Sequence, residues 1–486
     1  MSTVTVPAPK AVQPVADAGH PRRWLILFVI LAAECMDLLD STVVNVAAPS
    51  IRADLGASTA GLQWIVGGYA LAFAIGLVTG GRLGDVFGRR RRRKAADAEQ
   101  EQPSALCGLA PSEGALVGAR LLQGAFAAVL IPQGFGIVKQ VFSAQELPKA
   151  FATFGPVMGL AAVAGPIVGG ALTDGDLLGT GWRMIFLLNL PVGVLTLVAA
   201  VKLLPESRLP VAPRLDLTGM ALVSLAAGLL MYPLIQGREL GWPAWTFVAM
   251  GASALLLGAF ALHVRRLDRA GADPLVLPSL FARRAFSGGL AFGLVFFGGM
   301  MGVLLALTLF LQLGAGFSAI HTGLTYVPFS LGTAVGAGLA GGLLAPRFGR
   351  RVLQAGMLLA AAGTGWLLVA VDGPVAEVTS LGLAPALAVV GLGFGLAIAP
   401  FFDTVLAAVR DEEVGAASGT LNAVQQFGTA AGIAVLGTVF FSAVPGAGFA
   451  GAFEHVLWIE GALLAVAFAL VFLFPRRARE GMAAHA

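Results

Sequence analysis

Charge is scarce in this chain. Of its 486 residues 12% are Asp, Glu, Lys or Arg, where soluble domains carry about 25%. With 57% apolar residues beside so little charge, the chain could not hide its apolar surface in water, which excludes a soluble enzyme. Cysteine is almost missing. Cys35 and Cys107 fall in apolar stretches without disulfide or metal spacing, so no disulfide framework, metal or other cofactor is expected. The histidines do not cluster; His263, His321 and His455 lie near the ends of apolar runs. No GxxxxGK[ST] loop occurs, which leaves an ATP-driven pump unsupported. Gly391, Gly393 and Gly395 superficially suggest a nucleotide loop, but their setting is a membrane-length helix. The net charge of +4 is no nucleic-acid signature, because the arginines gather at segment ends.

What the chain does have is apolar length and glycine. Its 65 glycines suit close helix–helix approach in lipid better than they suit loops. Thirteen apolar stretches of about 20 residues, enough to cross a bilayer core, begin between Trp24 and His455. A fourteenth, over 92–110, is compromised by polar residues. Counting it, basic clusters from Arg22/Arg23 through Arg347/Arg350/Arg351 to Arg476/Arg477 all fall on one side, and short loops such as 111–113, 372–377 and 444–454 on the other. That is the cytoplasmic bias expected of Lys and Arg. Without it the alternation fails. The first apolar run, after Arg22 and Arg23, is too long for a cleaved leader and reads as a retained span.

Two copies of one motif lie far apart. GRLGDVFGRR at Gly81–Arg90 is echoed by GLLAPRFGRR at Gly342–Arg351, each closing a glycine-rich apolar run with a basic cluster. Recurrence at the same membrane edge points to duplicated helical bundles, as in carriers. The second copy has Pro346 where Asp85 stands, so any gating charge belongs to the first.

Polar residues inside the spans are the candidates for chemistry, because intramembrane ionisable groups are costly and usually functional. The first span contains ECMDLLDSTVVNVAAP. On a helical wheel Glu34, Asp37, Ser41 and Asn45 form one stripe with Asp40 beside it, and that stripe should face water rather than lipid. The fourth contains LVGARLLQG, with Arg120. Counted inward from their helix ends, Asp40 and Arg120 both lie about 9 Å deep, so an ion pair between them is geometrically reasonable. The fifth contains AGPIVGGAL, in which Gly165 and Gly169 present a flat backbone surface. Gln312, Asn422 and Gln426 are further polar residues at depth; Asn422 and Gln426 share a helix face and could line a cavity or join helices. Glu460 has no evident role.

These motifs resemble the major facilitator superfamily from end to end. GRLGDVFGRR is similar to its signature loop between helices 2 and 3, which implies a conformational gate built from Gly81, Gly84, Asp85, Gly88, Arg89 and Arg90. LDSTVVNVAAP resembles the helix-1 motif of the 14-span drug:proton antiporters, which implies that Asp40 matters to conformational change. LVGARLLQG resembles the motif whose buried arginine is implicated in proton coupling, here Arg120 with Gln123 and Gly124. Gly165, Pro166, Gly169 and Gly170 match the motif that marks exporters.

The third span departs from the pattern. RRRRRKAADAEQEQPSALCGLA puts Asp97, Glu99 and Glu101 where apolar residues belong, each costing about 2.5–3.5 kcal/mol at mid-bilayer against about 0.3–0.6 returned per Leu. Normal length with alien composition suggests a short out-of-frame reading; the rival is a genuine variant with a long basic loop and a stunted helix 3.

The expectation is an all-α integral membrane protein of the major facilitator fold and no enzyme. Residues 1–23 form a cytoplasmic tail and 24–203 a six-helix bundle. Residues 204–284 are a linker with two extra transmembrane helices, 285–474 a second six-helix bundle and 475–486 a cytoplasmic tail. The expected activity is proton-coupled export of lipophilic drugs or antibiotics from a bacterial plasma membrane, by a monomer whose partners are substrate, protons and lipid. Glu34, Asp37, Asp40 and Arg120 would couple protons, and Ser41, Asn45, Gln123, Gln312, Asn422 and Gln426 would line the substrate cavity. The competing reading is a membrane relative that does not transport, whether a sensor, a binding protein or a product inactivated at helix 3.

Overall fold

A computed structural model describes residues 20–87, 103–143, 145–146, 149–150, 153–203, 216–272, 274–410 and 413–476. These residues form helices and turns, with no strand among them. In chain order the principal helices are α1 (Arg23–Leu55), α2 (Thr59–Phe87), α3 (Glu113–Val141), α4 (Phe154–Asp174), α5 (Asn189–Leu203), α6 (Leu217–Gln236) and α7 (Ala244–Arg269). The series continues with α8 (Arg284–Leu309), α9 (Ala319–Thr325), α10 (Val327–Leu339), α11 (Arg351–Val371), α12 (Ser380–Leu406) and α13 (Val414–Leu470). Among the described residues nine helical stretches are long and apolar enough to cross a membrane. The large side chains of Leu160, Leu195, Val248, Leu255 and Leu381 stand outward and exposed, an apolar exterior that suits lipid and not water.

Local chemistry starts and stops the helices. Ser112 opens α3 by accepting from Ala115 N at 3.4 Å, Asp216 opens α6 through Gly219 N at 2.8 Å, and Thr379 opens α12 through Gly382 N at 3.1 Å. These side chains satisfy backbone donors that a helix start leaves free. Gly56 closes α1 at φ 60°, a left-handed conformation that costs glycine nothing. Loops 56–58, 110–112, 237–243 and 372–379 gather at one end of the bundle. The opposite, Arg-rich end carries Arg22, Arg23, Arg283, Arg284, Arg347, Arg350, Arg351 and Arg410.

Two expectations about helix bounds need correction, and a third lies mostly outside the described residues. The loop expected at 444–454 is a kink: helix runs on both sides of Gly448, whose φ of 68° and ψ of −175° turn the chain in one residue. Glu460 therefore stands near the middle of the limb 449–470, deeper than its distance from His455 suggested. Helix α1 also continues through Pro49 to Leu55, so Asp40 lies much farther from its helix end than sequence counting placed it. The polar segment expected to damage helix 3 lies almost wholly outside the described residues; 103–108 is helical, with Ser104 and Cys107 buried.

Helix α2 packs on α3, α1 on α4, and α8 on α13, while α12 lies between α10 and α11. The α12 glycines explain the last arrangement. A Cβ at Gly391 would come within 2.0 Å of Phe329 O and one at Gly395 within 2.1 Å of Thr333 O, both on α10, whereas one at Gly393 would meet Ala360 N of α11 at 2.4 Å. The run that superficially suggested a nucleotide loop is thus a pair of helix contacts. A phenylalanine cluster, Phe292, Phe296, Phe394, Phe401 and Phe474, fills the core between these helices. The hairpin α6–α7 lies against α2 and α13.

Candidate functional site

The site forms where α1, α2, α3 and α5 meet. Arg120, on α3, is 1% exposed. Its Nη1 donates to Asp40 Oδ2 at 2.5 Å and to Gln123 Oε1 at 2.7 Å, and its Nε to Ile65 O at 3.1 Å. The guanidinium lies 4.5 Å from the centroid of the Tyr69 ring and 5.8 Å from that of Phe186, a setting that attracts a cation. Asp40 is bonded on its other oxygen as well, accepting from Asn189 Nδ2 at 3.0 Å. Taking two charges out of water costs several kcal/mol per ion, and such a pair persists only when its remaining polar atoms are also satisfied. Here both carboxylate oxygens are.

The network extends on both sides. Tyr69 O–H donates to Asp37, one turn along α1. Gln123 Nε2 donates to Ser104 Oγ at 3.0 Å, and Cys107 Sγ approaches Gln123 Oε1 at 3.7 Å. The described turn of the third span is therefore tied to Arg120 through Gln123. Gln123, expected on a cavity wall, lies instead inside this network at 1% exposure, because it shares a helix face with Arg120 three residues away. Glu34 is half-buried on the same helix as Asp37 and Asp40.

The exporter-type motif sits at two contacts. Gly165 and Gly169 lie against α1, where a Cβ would come within 2.2 Å of Thr42 Oγ1 and 2.9 Å of Val43 Cγ1. Gly170 faces α9, with Ala319 O at 2.5 Å from the same ideal position, and Pro166 O stands 2.2 Å from a Cβ built on Gly323. Only glycine permits backbones this close. Asp174, at the end of the same helix, accepts from Ala319 N at 3.3 Å and Ile320 N at 2.7 Å, serving the free N–H groups of a helix start.

These contacts belong to a wider closure. Gln312 Nε2 donates to Val46 O at 2.7 Å, and Gln63 Nε2 to Ala434 O at 3.2 Å and Thr438 Oγ1 at 3.4 Å. Among the described residues, the hydrogen bonds between 23–203 and 284–474 all lie in the part of the bundle away from the Arg-rich end. Gln312, expected on the cavity, is thus a closing contact in this conformation. Ser41 and Asn45 bond along α1 to Leu38 O and Ser41 O. Asn422 and Gln426 are half-buried and make no hydrogen bond to a described residue.

Of the gate motif, Gly81, Gly84 and Asp85 lie in the last turns of α2, and Gly88, Arg89 and Arg90 lie outside the described residues. The second copy shows what its arginine does. Arg350 Nη1 donates to Phe472 O at 3.1 Å and Phe474 O at 3.0 Å, and Arg350 N to Arg476 O at 3.1 Å, fastening the tail of the last helix. Among the described residues no group of three His, Cys, Asp or Glu is placed to hold a metal.

Residues 30–433 match the Major Facilitator Superfamily. The chain belongs to that superfamily. It is 50% identical over 427 residues to the probable actinorhodin transporter of Streptomyces coelicolor, covering 87% of this chain and 74% of the relative. It is 34% identical over 447 residues to the tetracenomycin C resistance and export protein of Streptomyces glaucescens, covering 91% and 81%. In fold it resembles a bacterial homolog of the human lysosomal transporter Spinster, solved in an inward-facing, unoccupied conformation, with a TM-score of 0.66 at 16% identity over 96% of this chain and 98% of that one.

As a member of the superfamily the protein is a multi-pass membrane transporter of small molecules and not an enzyme. Within this major facilitator fold, two site residues were not singled out in the sequence. Asn189 stands in the apolar run FLLNLP, where an amide inside a span was itself a signal. Tyr69 is one of only three tyrosines, and its ring and hydroxyl serve Arg120 and Asp37 at once.

Proposed function

We propose that this transporter is a proton-driven exporter, an antiporter that moves lipophilic small molecules such as antibiotics out of a bacterial cell by alternating access. The observation that carries the reading is the Asp40–Arg120 pair, buried inside the helices and bonded on both carboxylate oxygens. When Asp40 takes up a proton the attraction to Arg120 falls, and Arg120 is left with Ile65 O and Gln123 as its partners. One protonation step thereby changes contacts among α1, α2, α3 and α5 together, the kind of local charge change that biases a two-state element. The Streptomyces relatives, one named a probable transporter and one a resistance and export protein, support export, as does the glycine motif of α4.

In this reading the Arg-rich end is cytoplasmic, as are both termini, following the bias of Lys and Arg in membrane proteins. Fourteen spans divide into bundles 24–203 and 285–474 with the linker 204–284 between them, and the protein works as a monomer. The present conformation is closed toward the outside. Glu34, Asp37 and Asp40 form the proton path on α1, with Arg120 as counter-ion. Ser41, Asn45, Asn422 and Gln426 contact substrate, and Gln312 joins them when the outer closure opens. Gly81, Gly84, Asp85, Gly88, Arg89 and Arg90 gate the cytoplasmic side.

The test is transport of ethidium by the purified protein in liposomes under an imposed pH gradient. Ethidium movement should be accompanied by opposite proton movement. Asp40→Asn should abolish the coupling, and Glu34→Gln and Asp37→Asn should each weaken it. Undiminished pH-driven transport in the triple variant would sink the proposal.

A further inference from the structure

A second acid is buried far from the Asp40–Arg120 pair. Glu460 stands near the middle of the 449–470 limb of α13 and is 1% exposed. Its Oε2 has no hydrogen-bond partner, and no ion pair among the described residues reaches it. Its carboxyl lies over the bare backbone of α8, where a Cβ on Gly299 would meet Oε2 at 2.3 Å and Oε1 at 3.1 Å. One turn to either side on α13, Val456, Leu457 and Leu464 are buried and apolar.

Among the described residues the surroundings hold no counter-charge. Arg284 is the single charged residue of α8 and Arg351 that of α11, and both lie at the Arg-rich ends of their helices. At 1.5 Å per residue Arg284 is about 22 Å from Gly299 along the axis. Asp403 of α12 is exposed near the same end. On α13 itself the neighbouring charged and titratable groups are Glu454 and His455, more than one turn nearer the kink. The hydrogen bonds of α2 and α6 with α13 fall on its other limb, at Ile433, Ala434 and Thr438. A carboxyl buried among apolar side chains without a counter-charge is far less costly to hold neutral than ionised.

The helix it lies on packs by close backbone approach. Gly298 and Gly302 of α8 face Gly428 and Gly432 of the 414–447 limb, so closely that a Cβ at Gly432 would come within 1.9 Å of Gly298 O and one at Gly302 within 2.7 Å of Gly432 O. At Gly302 the Leu436 side chain is seated as well, its Cδ1 2.5 Å from the same ideal position, so backbone approach and one side chain together hold α8 against this limb. Glu460 occupies the position next to this contact, over the adjacent residue of α8.

We propose that Glu460 is a second proton site of this transporter, loaded in the conformation described here and emptied when α8 parts from the 449–470 limb and admits water. The proton leaves the carboxyl for that water, and the carboxylate is re-protonated when the two pack together again. This inference rests on the proton-coupled reading above, and its test separates the two. Purified wild-type protein is treated with dicyclohexylcarbodiimide, which adds to protonated carboxyls in apolar surroundings, and the modified residue is located by mass spectrometry. Modification of Glu460 that declines as pH rises is expected. In liposomes Glu460→Gln, which keeps the shape of the neutral acid, should lose most pH-driven ethidium transport and flatten its pH profile, while ethidium exchange without a gradient continues. Glu460→Asp should restore part of the coupling. A wild-type protein indifferent to the pH gradient overturns the proton-coupled reading itself. Coupled wild-type transport with an unmodified Glu460, or with a wild-type pH profile in Glu460→Gln, overturns this inference alone.

Discussion

Asn189 Nδ2 lies 3.0 Å from Asp40 Oδ1 while Arg120 holds the opposite oxygen. The acid is therefore clasped from α5 and α3 together, and neither helix can move relative to α1 without breaking a bond to it. Local geometry at one side chain thus becomes a constraint on three helices, which is what a proton-dependent conformational change needs.

Removing one member of this group strands the others. Asp40→Asn and Arg120→Gln should each destabilise the protein by roughly 3–5 kcal/mol, the cost of leaving a buried charge unpaired. The double variant should lose clearly less than the sum. Asn189→Leu, which deletes one hydrogen bond to a charged group, should cost about 1.5–3 kcal/mol. Thermal unfolding of the purified variants in one detergent measures all of this, and strict additivity would mean that the pair has no energy of its own.

Gly170 lies at the contact of α4 with α9. A side chain there would collide with Ala319 O and with Ile320 Cα at 2.6 Å, so Gly170→Leu should oppose the α4–α9 contact by about 1–3 kcal/mol, the usual scale of overpacking. The population closed at that end should fall. With Cys35 and Cys107 replaced, a cysteine placed at Gln63 should then react faster with a membrane-impermeant thiol reagent. An unchanged rate would show that the end opens without parting these two helices.

Glu239 predicts an acid limit to stability. It joins the α6–α7 hairpin to the start of α2, accepting from Thr59 Oγ1 at 2.6 Å and Ala60 N at 2.8 Å. Burial opposes its charge, but the bonds from Thr59 and Ala60 and the Arg238 charge outweigh that and hold it below its ordinary value of 4.5. A carboxyl depressed by folding contributes stability that is present above its unfolded value and lost as pH falls through the folded one. Thermal stability should therefore decline as pH drops below about 4.5. Glu239→Gln should be less stable at neutral pH and show a shallower decline in acid. Parallel pH curves for the two proteins would assign the acid loss to other groups.

The segment 95–103 predicts a gain. Replacing residues 92–103 with an apolar sequence of equal length should raise membrane yield and transport, because the polar 95–103 adds several kcal/mol to insertion. The turn at 103–108 already docks on Gln123 through Ser104, so a restored helix has a seat waiting. Equal yield and transport in the two proteins would mark the polar segment as a genuine feature.

Membrane class, helical fold and family were legible in the sequence because lipid imposes length and polarity on every span independently of its neighbours. Asp40 and Arg120 were legible for the same reason: a charge inside a span is costly enough to announce itself. Their partners were not. Asn189, Tyr69 and Ile65 O come from other helices, and which faces of α2 and α5 turn toward α3 depends on packing that no local pattern records. Gln123 and Gln312 show the limit from the other side, since an amide within a span reads alike whether it lines a cavity, braces an arginine or closes one end. The kink at Gly448 likewise replaced an expected loop because both flanks find helical neighbours. Composition determined that this chain lives in lipid and where its costly charges lie. Only the packing of helix on helix decided which of those charges are paired, and left Glu460 without an ion-pair partner among the described residues.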